Sequence, residues 1–117
     1  MLDLMERAHL EYANAISDFE SMVDVETEDQ FQASKTSCTT HTVNALKMFR
    51  DIGDISCDHR SMIRTVYTQT LSHIRDHAKY MNFDTRSNYR PQVYVFEAIY
   101  ERLVEEMIDG YVKPIKL

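Results

Sequence analysis

Apolar residues recur at helical spacing along almost the whole chain, and they divide it into four segments. In the first, Leu2, Met5, His9, Tyr12, Ile16, Phe19 and Val23 form one stripe, while Glu6, Arg7, Glu11, Asn14 and Asp18 lie off it. This pattern predicts an amphipathic helix with one buried face. The second segment opens at Thr27, where Thr27 and Gln30 have the spacing of a capping box. Its stripe is Phe31, Ser34, Cys38, His41, Ala45, Met48, Phe49 and Ile52, and Gly53 stands where a helix C-cap belongs.

The third segment opens near Ser56 or Asp58, both good N-cap residues. Its stripe runs through Ile63, Val66, Tyr67, Thr70, Ile74, His77 and Met81 to an end near Asn82. The fourth begins at Pro91, a favoured first helical residue. Val93, Phe96, Tyr100, Leu103, Met107 and Tyr111 mark its apolar side, and Gly110 and Pro114 are expected to end it. Glu97, Glu101, Glu105 and Asp109 follow at four-residue spacing on another, solvated face.

Four such segments with short connections predict an all-α fold. The expected architecture is a compact up-down-up-down bundle of four main amphipathic helices, forming one domain over residues 1–117. Two Gly and two Pro are too few for an all-β sandwich or barrel. With 44% hydrophobic and 27% charged residues, the chain belongs among globular domains.

The two middle stripes are unusually polar. Cys38, His41, His73 and His77 fall on or beside them, amid Ser34, Thr36, Ser37, Thr39, Thr40, Thr42, Thr65, Thr68, Thr70 and Ser72. A buried polar group costs free energy unless it finds a partner. Ser and Thr also compete for backbone hydrogen bonds, so Ser34–Thr42 is expected to be the least regular stretch of helix.

An antiparallel pairing of segments two and three about residues 51–57 would let all four Cys and His side chains converge, and tetrahedral zinc accepts one thiolate and three imidazoles. The same residues also read as a polar core, each histidine bonded to a hydroxyl or carbonyl. A third reading is a small polar cavity for an anion or metabolite, with Arg64 as a further donor.

Catalytic sets are scarce. A thiol at Cys38, in mid-helix on a core stripe, should have a raised pKa and be inert. Cys57, beside His59 and Arg60, reads as a thiol on an exposed turn. No Glu occurs between Glu28 and Glu97, which leaves out the carboxylate pattern of a di-iron bundle.

Charge alters the picture along the chain. Residues 1–30 hold nine acids and one Arg, residues 31–90 nine bases and five acids, and residues 91–117 five acids and three bases. The first segment is therefore expected to lie along the basic middle pair. An overall charge of −6 argues against nucleic-acid binding. No apolar stretch approaches the ~20 residues that span a membrane, and the first residues carry no basic start and apolar run of a secretory signal. Two cysteines read as reduced thiols in a cytoplasmic protein.

Together these features predict a small acidic cytoplasmic protein without enzymatic activity. It is expected to self-associate and to regulate by binding another protein, in the manner of the inhibitors that phages and other mobile elements encode. That expectation rests on size and composition. The polar stretch 82–90 carries Arg86, Tyr89 and Arg90, residue types common in interface anchors, and is the predicted partner-binding segment. The alternative is a ligand- or metal-binding bundle that uses Cys38, His41, His73 and His77. Zinc is the cofactor implied by that alternative, whereas the main reading implies none.

Overall fold

The computed structural model describes the backbone of residues 4–52 and 58–116, with side chains except at 58–60 and 108–116. Four α-helices account for most of it: α1 (Leu4–Asp24), α2 (Glu28–Asp51), α3 (Asp58–Tyr80) and α4 (Arg90–Lys116). A single 3-10 turn, Arg86–Tyr89, enters α4, and there is no strand among the described residues. The all-α fold read from the periodicity is the observed one.

Local signals act where they were expected. Thr27 is extended, and its hydroxyl accepts the Gln30 N–H at 3.2 Å, satisfying one orphan donor at the start of α2. Two expectations fail. The Ser/Thr-rich stretch stays inside one continuous α2, where the hydroxyls of Thr39, Thr40 and Thr42 bond back to carbonyls of their own helix. Thr39 donates to the Lys35 carbonyl at 2.9 Å and Thr40 to that of Thr36 at 3.0 Å. The ladder therefore remains intact. Gly110 and Pro114 do not stop α4, which runs on to Lys116. A proline removes only one donor from the ladder, and near a helix end little is lost. Gly53 and Ser56 lie outside the described residues.

Cross-helix contacts set the directions. Glu11 lies beside His41 and Asp18 accepts from Ser37, so α1 and α2 are antiparallel. Phe31 packs on Phe83 and Phe49 stacks on Tyr67, so α2 and α3 are antiparallel as well. Phe19 packs on Phe96, whereas His9 stacks on Tyr100, which runs α4 against α1. The order is up-down-up-down. α1 and α3 meet across one diagonal through His9, Tyr12 and Tyr67, with α2 and α4 on their flanks.

The core is a rod of aromatic and aliphatic side chains: Tyr12, Phe19, Phe31, Phe49, Ile63, Tyr67, Leu71, Ile74 and Phe96. α1 and α2 are the most closely packed pair. Small residues explain it. Ala8, Ala15, Cys38, Thr42 and Ala45 are all fully buried and let the two backbones approach.

Candidate functional site

The polar seam does not assemble as one site. Cys38 is fully buried and points at α1, where its thiol donates to the Ala15 carbonyl at 3.6 Å. Burial, with Asp18 nearby, pushes its pKa up to about 12, so it stays a thiol and a poor nucleophile. His41 also turns to α1. Its Nδ1 lies 2.6 Å from Asp18 Oδ2, and its Nε2 lies 3.9 Å from Glu11 Oε2.

His73, expected to face inward, is exposed. His77 packs against aromatic rings, 5.8 Å from Tyr89 and 6.0 Å from Phe96, on the α4 side of α3. Cys38 and His41 are thus separated from His73 and His77 by the way each helix is rotated. Among the described residues, no three His, Cys, Asp or Glu side chains gather as metal ligands.

Ser37, His41 and Asp18 resemble a hydrolytic triad only in composition. A working relay has the hydroxyl at one ring nitrogen and the carboxylate at the other. Here Ser37 donates directly to Asp18 at 2.7 Å and lies on the same Nδ1 side of His41, at 3.5 Å. The three side chains brace α1 against α2. Several other hydroxyls are spent within their helices: Thr42 on the Cys38 and Thr39 carbonyls, Thr70 on that of Val66.

The segment read as a partner-binding loop is turned onto its own bundle. Arg86 Nε donates to the Val25 carbonyl at 2.9 Å and Nη1 to that of Phe83 at 2.6 Å, while the guanidinium lies 3.9 Å over the Phe83 ring. Arg90 pairs with Asp24. Tyr89 packs edge-on to Phe19 at the bundle end. All three side chains have intramolecular partners. Cys57, the other thiol considered above, lies outside the described residues.

Two features escaped the sequence reading. One is a histidine–tyrosine cluster inside the bundle. His9 contacts the Tyr67 hydroxyl through Nδ1 at 2.8 Å and the Tyr100 hydroxyl through Nε2 at 3.3 Å. Burial lowers its pKa. Beside it, the fully buried Tyr12 hydroxyl faces Thr70 without closing a hydrogen bond of good geometry, and burial raises its pKa steeply. The signal was available in the placement of His9, Tyr12, Tyr67 and Tyr100 on three stripes.

The second feature is an open groove between α3 and α4, of about 400 Å³. Met62, Ile63 and Val66 form one wall, and Ala98, Ile99 and Leu103 the other, with Arg102 and Glu106 at its edge. Met62 is 52% exposed and Val95, one turn before Ile99, is 53% exposed. No stripe of the sequence announced it, because Met62, Val95 and Ala98 lie off the core side of their helices.

Comparison of the chain with protein-family models, with curated proteins and with solved structures finds no match to any of them.

Proposed function

We propose that this chain is a small acidic interaction protein that regulates by binding protein, and that the α3–α4 groove is its binding face. One observation carries the reading: an apolar groove, open along two helices, with large exposed side chains beside it. Contiguous exposed apolar surface is costly in water, and on a folded domain it marks a place where another surface docks. Arg102 and Glu106 give the groove a charged edge, in keeping with the apolar-centre, polar-rim anatomy of interfaces.

The reading requires no cofactor and no catalytic step. Its expected setting is the cytoplasm, where a thiol such as Cys38 stays reduced. No helix among the described residues is long and apolar enough to cross a membrane. The net charge of −6 favours protein over nucleic acid as the partner. The alternative, a ligand or zinc held in a seam between α2 and α3, draws no support from the geometry, since Cys38 and His41 turn toward α1.

Native mass spectrometry of protein purified from its own host tests the proposal. The wild type should carry bound protein, either a further copy or a foreign chain. The Met62→Glu/Ala98→Glu variant should keep its helical circular dichroism and lose that protein. A variant that retains its bound protein, or a wild type that carries none, overturns the assignment of this face.

A further inference from the structure

Charge is segregated across the bundle. From Gln30 to Arg50, α2 contains no acid, and from Ser61 to Tyr80, α3 contains only Asp76. The same stretches hold Lys35, Lys47, Arg50, Arg64, Arg75 and Lys79. Lys35 reaches across the α2–α3 crevice, where its Nζ donates to the Lys79 carbonyl at 3.4 Å and to the Met81 carbonyl at 3.1 Å. Arg75 and Arg64 stand one and four turns before Lys79, on the same side of α3. Arg50 and Arg75 pair with their sequence neighbours Asp51 and Asp76 at 3.4 and 3.6 Å, and exposed pairs of that kind are weak.

The opposite side of the rod is acidic. α1 and α3 lie across the diagonal, so the α1–α4 side faces away from the α2–α3 side. Glu20 and Glu97 share a hydrogen bond there, beside Ala13, Ser17 and Tyr100. Glu101 and Glu105 follow Glu97 at four-residue steps and are exposed.

The two faces are also level with one another. Ser37 on Asp18 and Cys38 on Ala15 set α2 against α1. His77 beside Phe96, and Val66 across the groove from Leu103, set α3 against α4. Carried along each helix, these contacts put Lys35 level with Glu20, Arg75 with Glu97 and Arg64 with Glu105, each to within about one turn. A copy translated sideways, with no shift along the axis, therefore lays α1 on α2 and α4 on α3 with unlike charges opposed. Its Leu10, 49% exposed, comes to the level of Leu46, and its Tyr94, 63% exposed, comes beside Lys79 as a cation–π partner. The bundle measures 52 × 23 × 22 Å, so each face has room for the ~800 Å² per partner of a standard interface.

We infer that the basic α2–α3 face docks on the acidic α1–α4 face of a second copy of this chain, head to tail. The contact joins two different surfaces, and a translation does not close, so copies add in a row. These faces are distinct from the α3–α4 groove, and the inference does not depend on it.

Sedimentation equilibrium of the full purified chain at about 20 mM and about 0.5 M sodium chloride tests it. At low salt the average mass of the wild type should rise with concentration past that of two chains, and at high salt that growth should vanish. Arg75→Glu/Lys79→Glu and Glu101→Lys/Glu105→Lys alter exposed residues and should keep their helical circular dichroism. Each variant alone should associate about tenfold or more weakly than the wild type. Mixed in equal amounts, they should form a pair and no longer row. The first brings an intact acidic face and the second an intact basic one. The altered residues are not level with each other, so the two altered faces still repel.

A wild type that stays monomeric at low salt overturns the inference, as does one that stops at two chains or a mixture no more associated than its components. A foreign acidic protein bound in place of growth, and lost in Arg75→Glu/Lys79→Glu, gives the basic face another partner and discards the second copy. Salt at about 0.5 M disperses the row but not a protein held by apolar contact. At that salt the Met62→Glu/Ala98→Glu comparison reads the groove alone, so the two proposals fail separately.

Discussion

His9 on α1 stands 2.8 Å, ring nitrogen to hydroxyl oxygen, from Tyr67 on α3, across the diagonal of the bundle. The contact joins two helices that are not sequence neighbours, and Tyr100 of α4 closes it from the other ring nitrogen. Burial lowers the His9 pKa, so protonation favours the unfolded chain. The stabilising contribution is complete above the ordinary histidine value of about 6.5 and is lost as pH falls below it. Melting temperature should therefore drop from pH 7 to pH 5 more steeply in the wild type than in His9→Gln. Equal slopes would show that His9 does not couple to folding.

Tyr12 offers a sharper test. Its hydroxyl is buried and lacks a well-formed hydrogen bond, while its ring packs 4.5 Å from Tyr67. Removing the hydroxyl leaves the ring contact and abolishes a desolvation cost. Tyr12→Phe should stabilise the protein by about 1 kcal/mol in urea denaturation. A loss of stability of that size would mean that the hydroxyl is partnered after all.

Arg86 carries the junction between the α1–α2 link and the entry to α4. Its two carbonyl bonds and its stacking on Phe83 depend on a planar guanidinium. Arg86→Ala should cost about 1–2 kcal/mol of stability, and Arg86→Lys should recover little of it. Chemical denaturation of the two variants checks this. Indifference to Arg86→Ala would return the residue to the free surface where the sequence seemed to put it.

Much of the fold was legible because stripes of Tyr, Phe and Ile at 3.6-residue spacing leave few ways to bury themselves. The seam was misread for a specific reason. The stripe drawn through His41 and Met48 differs by one residue from the face that is actually buried, which runs through Phe31, Cys38, Thr42, Ala45 and Phe49. Alanine and threonine give weak hydropathy signals, yet Ala8, Ala15, Thr42 and Ala45 fill the tightest helix pair. That rotation carries His41 to Asp18 on α1. The α2–α3 register is shifted too. Phe31 opposite Phe83 and Phe49 opposite Tyr67 place partners farther along α3 than a turn centred on residues 51–57 implies. The α3–α4 groove left no trace in periodicity, since an exposed apolar residue only gains meaning from its neighbours in space.

Glu20 of α1 and Glu97 of α4 face each other and share a hydrogen bond, which raises the Glu20 pKa, with partial burial adding to it and Arg90 opposing. A raised carboxyl pKa means that the folded chain holds the proton more tightly than the unfolded one. The contribution to stability is present at acid pH and is lost as pH rises through the folded value. Glu20→Gln keeps a neutral donor in place and should stabilise the bundle at pH 7. The gain should stay below about 1 kcal/mol because the pair is only partly buried and solvent screens it, and it should shrink at pH 4.5. A variant less stable than wild type at pH 7 would contradict this reading of the pair.

The central claim is that the α3–α4 face is covered when the protein works. Met62 reports on it directly, being 52% exposed on the wall of the groove and carrying an oxidisable sulfur. Mild peroxide footprinting read by mass spectrometry compares Met62 in wild type purified with its bound protein, in wild type stripped of it, and in Ala98→Glu. The account predicts slow oxidation of Met62 where the bound protein is kept, and fast oxidation both in the stripped wild type and in the variant, while the buried Met5 and Met22 stay slow in all three. Equal, fast oxidation of Met62 in all three samples would show the face open to water and would contradict the account.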